Sequence, residues 1–107
     1  MENKILQQAI NKYGANNQLD MVIEECAELI KAINKVKRND LVADNFIMSP
    51  TNDNQRTVLF DLTSEIADVE IMLNQIKLML PETFNQAIQI SKERKIERLN
   101  NRLNNQQ

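Results

Sequence analysis

A chain of 107 residues suits one domain with a modest core. Its 13 Lys and Arg stand against 15 Asp and Glu, a net charge of −2 that gives no general attraction to nucleic acid or to an anionic membrane. The absence of His excludes His-ligated zinc, Ser-His or Cys-His nucleophiles and the Glu-x-x-His di-iron motif.

Residues 1–20 lack the apolar segment of a secretory signal, and no apolar run nears the ~20 residues that span a bilayer. Ile5, Leu6, Ala9, Ile10 and Tyr13 recur at helical spacing, so residues 2–13 are expected to form a short amphipathic helix stopped by Gly14. A second helix is expected from about Asn17 to Arg38. Its apolar stripe is Leu19, Val22, Ile23, Cys26, Leu29, Ile30, Ile33 and Val36, and Lys31, Lys35, Lys37 and Arg38 lie toward the end that favours cations. Cys26, without a partner thiol or a neighbouring base, reads as a small buried residue in a reducing, cytoplasmic setting. Residues 39–55 break the pattern and read as a long connection with at most one helical turn and a small apolar island at Phe46, Ile47 and Met48.

A third helix is expected from about Arg56 to Leu80, with Val58, Leu59, Leu62, Ile66, Val69, Leu73, Ile76 and Leu80 as its stripe. Pro81 ends it and opens a fourth, from about Glu82 to Leu103, that begins apolar and turns basic at "SKERKIERLNNRL". Residues 104–107 read as a polar tail. The expected architecture is all-α, a single four-helix bundle-like domain over residues 1–107.

Acids interrupt two of these helices. Glu25 and Glu28 are spaced i, i+3, as are Glu65 and Asp68, so each pair occupies neighbouring turns. On a 100° wheel Glu25 and Glu28 lie roughly 90° and 150° from the centre of their stripe, and Glu65 and Asp68 roughly 65° and 125° from theirs, on the same side. Antiparallel packing would bring four carboxylates to one cleft. Like charges so placed repel unless a hard cation joins them, and Mg²⁺ or Mn²⁺ takes oxygen ligands and shares its remaining positions with phosphates. The plainer reading is a solvated acidic surface, which is how Glu24 and Glu70 are read. Asp61, one turn before Glu65, reads as surface or as a spare ligand.

The run "EECAEL" followed by "SEIADVEIML" resembles the MazG-like all-α nucleoside triphosphate pyrophosphohydrolases, which carry Glu-x-x-Glu on one helix and Glu-x-x-Asp on a later one. The resemblance covers roughly residues 17–103. It implies that Glu25, Glu28, Glu65 and Asp68 are catalytic Mg²⁺ ligands and that an NTP or dNTP is cleaved to its monophosphate and pyrophosphate. It also implies phosphate contacts from Lys95 and Arg98 on the basic helix, with Lys92 and Arg102 as weaker candidates. The 36 residues between Glu28 and Glu65 exceed the family's usual spacing, and the excess falls in the 39–55 connection. A base could stack on Tyr13, Phe46 or Phe60 or be read by Asn74, although core packing is the commoner fate of such aromatics.

Met21, Ala32 and Met72 make the acid flank semi-apolar, so that face is expected to meet another subunit. A homodimer or homotetramer is expected, as in the family. The competing reading is a non-enzymatic helical oligomerisation or adaptor module whose acids are only surface.

Overall fold

The computed structural model describes residues 1–105. Four helices make up the fold: α1 (Glu2–Tyr13), α2 (Ala15–Arg38), α3 (Asp53–Met79) and α4 (Glu82–Asn105). No strand is present among the described residues, only an isolated bridge between Val42 and Ile47, and no described helix is long and apolar enough to cross a membrane.

Gly14 separates α1 from α2 at φ 88°, and its N–H caps the first helix on the Ile10 carbonyl. A Cβ there would meet no neighbouring atom, so the demand for glycine comes from the backbone conformation alone. The second helix ends in a Schellman arrangement. Asp40 takes the left-handed conformation at φ 56°, and the Leu41 N–H reaches back to the Val36 carbonyl. Leu41 also packs on Val36 and is fully buried, which ties the start of the connection into the core.

The connection holds more order than the sequence suggests. The Ala43 N–H donates to the Phe46 carbonyl and Met48 donates to Leu41, closing a small hairpin-like turn where at most a helical turn was expected. α3 begins three residues earlier than expected because Asn52 caps it. The Asn52 side chain accepts from the Gln55 N–H, and Gln55 accepts in return from Thr51. This is a variant of the capping box in which the return bond comes from the residue before the N-cap, and Asn52-x-x-Gln55 was its signal in the sequence. Gln55 and Asn54 also donate to Asn39, stitching the start of α3 to the end of α2.

α2 and α3 pack antiparallel. Ala32 and Val36 share a core with Val58 and Leu62, while Glu25 meets Glu65 and Asp68. The face that α2 turns to this seam is Gln18, Val22, Glu25, Leu29, Ala32 and Val36, spaced alternately by four and three. α3 answers with Gln55, Val58, Leu62, Glu65, Val69, Met72 and Ile76 at the same period. α1 lies across both and buries Leu6 and Ile10.

The expected four-helix bundle is therefore a three-helix body with a projecting fourth helix. Only Asn85 and Ile88 of α4 are half-buried, and every described residue from Gln89 onward is exposed. Asn85 fastens the helix start by donating to the Lys77 carbonyl. Asn104 and Asn105 continue the helix, so that part of the expected tail is ordered; Gln106 and Gln107 lie outside the described residues.

Two substitutions test the α2 terminus. Asp40→Gly should stabilise the chain by about 1 kcal/mol, since glycine takes a left-handed conformation freely. Leu41→Ala should cost about 2–4 kcal/mol by emptying a buried site. Urea unfolding checks both, and a neutral Leu41→Ala would contradict the anchoring described.

Candidate metal centre

The sequence placed the acids on a flank of the core face. The structure places Glu25 and Glu65 on the seam itself. The apolar arc of α2 is wider than the face it uses: Val22, Leu29 and Val36 turn inward, while Ile23, Ile30 and Ile33 remain exposed. Rotating the used face this way brings Glu25 to a heptad position that an apolar residue would ordinarily fill. Glu65 holds the equivalent position on α3, and Asp68 follows one turn later.

One carboxylate oxygen from each of Glu25, Glu65 and Asp68 lies within 4.8 Å of the others, and all three side chains are half-buried. Glu65 Oε2 is shielded from solvent and has no hydrogen-bond partner. The Glu25 carboxyl titrates above its ordinary value of 4.5. Desolvation is the largest cause, followed by the charge and hydrogen bond of Asp68 and by the charges of Glu65 and Glu24.

Three converging hard oxygens, an orphaned oxygen on one of the same three side chains, and a carboxyl that resists ionisation fit a divalent cation that prefers oxygen. Such a cation would satisfy the orphan and cancel the repulsion. Glu25, Glu65 and Asp68 are the residues able to hold it.

Glu28 does not join this trio. It is exposed one turn farther along α2 and lines a separate cleft with Lys31, Ala32, Lys35, Asp61 and Glu65. Glu65 belongs to both groups, so the cleft opens directly beside the trio. Asp61, Glu24 and Glu70 are exposed.

Lys95 and Arg98 lie on the projecting part of α4. Lys95 lines a groove with Phe84, Ala87 and Lys92, and Arg98 lines one with Arg94, Glu97 and Asn101. Neither groove includes a carboxylate of the trio. Arg102 is exposed, and Lys92 borders a cleft against Glu2, Asn74 and Lys77. Asn74 donates to the Glu2 carboxylate. Tyr13, Phe46 and Phe60 are exposed rather than packed in the core.

Ala32 belongs to the core rather than to an acid-flank surface, and Met72 is half-buried at the seam; Met21 is exposed. Sequence reasoning missed Gln18 and Gln75, the two buried polar residues among those described. The signal was available for Gln18, which continues the seam one heptad before Glu25. Comparison with family models, with curated proteins and with solved structures finds no match for this chain.

The raised Glu25 value makes a signed prediction. The folded chain holds the Glu25 proton more tightly than the unfolded chain does. Its contribution to stability is therefore present below pH 4.5 and lost as pH rises through the higher folded value. In metal-free buffer the wild type should lose more stability than Glu25→Gln across that rise, and Mg²⁺ should offset the loss in the wild type alone. Thermal melts of both proteins against pH check this; parallel curves would contradict the electrostatic description.

Proposed function

We propose that the chain is a Mg²⁺-dependent nucleoside triphosphate pyrophosphohydrolase, with Mn²⁺ as a substitute ion. The observation that carries this reading is the carboxylate trio built into the α2–α3 seam, with its unpartnered Glu65 oxygen. Seam positions are the costly places to put acids, so a solvated-surface explanation fits them poorly. The resemblance of Glu25-Cys26-Ala27-Glu28 and Glu65-Ile66-Ala67-Asp68 to the MazG-like motif pair gives the reaction class.

In this proposal Glu25, Glu65 and Asp68 hold the ion. Bound there, Mg²⁺ supplies charge neutralisation on the phosphate and lowers the pKa of the attacking water. Glu28 stands outside the trio and keeps a free carboxylate. A carboxylate oxygen of the trio not used on the ion would accept the proton of the water that attacks the α-phosphorus opposite the departing pyrophosphate. The bond from that phosphorus to the bridging oxygen breaks, and pyrophosphate departs with the electron pair. The chain's own contribution is to orient the reactants and hold charge ready before they arrive.

The surface supports a homodimer or homotetramer. The chain exposes 8460 Å², against roughly 6,100 Å² for a compact monomer of its 12.4 kDa mass. Its radius of gyration is 17.7 Å, where a compact chain of this length would have about 13 Å. Leu19, Ile23, Ile30 and Ile33 on α2 and Ile66 and Leu73 on α3 are exposed. By their angular positions they share the side of the seam opposite Glu28 and Asp61. A second copy on this apolar side replaces the acid-flank contact that the sequence suggested. A partner's α4 would then be the route by which Lys95 and Arg98 reach a phosphate.

The competing reading, a non-enzymatic oligomerisation or adaptor module, draws on the same exposed apolar side and on the free length of α4. It has no use for acids at a helix seam.

Incubation with a panel of NTPs and dNTPs and Mg²⁺ should release pyrophosphate and a monophosphate, and Glu65→Gln should fall to background. Sedimentation velocity on the same preparation should give a dimer or tetramer, which an Ile23→Asp, Ile30→Asp double variant converts toward monomer. Turnover of no nucleotide, with no Mg²⁺-dependent change in melting temperature, would leave the adaptor reading standing. A monomeric wild type would remove the assembly proposed here.

A further inference from the structure

The cleft beside the trio contains two cations that the reaction has not yet used. Lys31 and Lys35 line it together with Glu28, Asp61 and Glu65. Lysines placed three and seven residues after a glutamate, facing two more acids, would ordinarily pair with them. Here the only salt bridge among the described residues joins Asp53 and Arg56. Both ammonium groups are thus free of an ion pair in a cleft they share with Glu28, Asp61 and Glu65.

The order along α2 is informative. Glu25 comes first, Glu28 one turn later, then Lys31 and Lys35 on successive turns. Lys31 is six residues beyond Glu25, about 9 Å of axial rise. Helical side chains lean toward the N-terminus of their helix, which shortens this gap for a long lysine. The cleft encloses about 230 Å³, below the ~300–1,000 Å³ of pockets that take a whole drug-sized ligand. Its size suits a small ligand rather than a nucleoside, and because Glu28, Asp61 and Glu65 outnumber the two amines, it suits a small polyanion that arrives with its divalent cation.

We infer that Lys31 and Lys35 are the chain's own binding site for the pyrophosphate end of the substrate, an inference that rests on the reaction proposed above. With the α-phosphorus at the trio, the β- and γ-phosphates extend along α2 past Glu28 and lie under the two amines. The nucleoside then leaves the site toward the N-terminal end of α2. When the bond to the α-phosphorus breaks, the departing pyrophosphate carries the electron pair, and Lys31 and Lys35 offset its gained charge. This site needs no second copy, whereas Lys95 and Arg98 do.

The test uses inorganic pyrophosphate with Mg²⁺, titrated calorimetrically into the full chain. The proteins are the wild type, a Lys31→Gln, Lys35→Gln double variant, and Lys37→Gln as a control for bulk charge. All three lysines are exposed, so folding should be preserved, and a melt checks it. Pyrophosphate affinity should fall about 100-fold in the double variant and hold within about twofold in the control. Mn²⁺ titrated alone should bind the double variant as it binds the wild type. Equal pyrophosphate affinity in the wild type and the double variant would overturn the lysine assignment and leave the reaction intact. No Mn²⁺ binding by the wild type, with lysine-dependent pyrophosphate binding retained, would overturn the reaction and keep the anion site.

Discussion

The whole arrangement depends on a conflict placed at a helix seam. Between α2 and α3 the packing positions are filled by Val22, Leu29, Ala32 and Val36 on one side and by Val58, Leu62, Val69 and Met72 on the other. Midway along, Glu25 and Glu65 take the place of apolar side chains, and Asp68 closes on them. Burial and mutual repulsion both act against ionisation there, and the Glu25 carboxyl records that opposition. The flanking apolar core holds the two helices in register, so the helices cannot draw apart to relieve the conflict. A divalent cation would relieve it without movement, and the proposed reaction would draw on that preorganisation.

The rest of the molecule serves or extends this seam. The left-handed Asp40, the anchored Leu41 and the Asn52–Gln55 cap fix the far end of the α2–α3 hairpin. Gly14 turns α1 back across the near end. α4 contributes little to this body. Its described residues from Gln89 to Asn105 form a helix about 25 Å long in which every residue is exposed, and an isolated helix of that length is marginal in water. Ile96, Leu99 and Leu103 along it are exposed, as is the apolar side of α2 and α3.

Helix identity was legible in the sequence because the 3.6-residue period, Gly14 and Pro81 all agree on it. The acids were legible as two i, i+3 pairs. Their setting was not, because α2 carries two overlapping apolar stripes side by side. One runs through Val22, Leu29 and Val36, the other through Ile23, Ile30 and Ile33. A wheel averages them into one broad arc and pushes Glu25 to its edge; only packing against α3 selects the stripe that contains it. The same averaging counted Ala32 with the outer surface. The separation of Glu28 from the trio follows from its angle, since it turns away from the seam toward Lys31 and Asp61. The cap at Asn52 was written in the sequence, but the polar run around it reads as loop until Gln55 is seen to answer.

The central claim is that the seam carboxylates exist to hold a divalent ion. Electron paramagnetic resonance of Mn²⁺ titrated into the metal-free chain measures this directly, with Glu25→Gln as the comparison. The account predicts saturable loss of the free-ion signal in the wild type, competed by Mg²⁺, and at least about tenfold weaker binding in the variant. An unchanged Mn²⁺ spectrum in the wild type, or equal binding by both proteins, would contradict it.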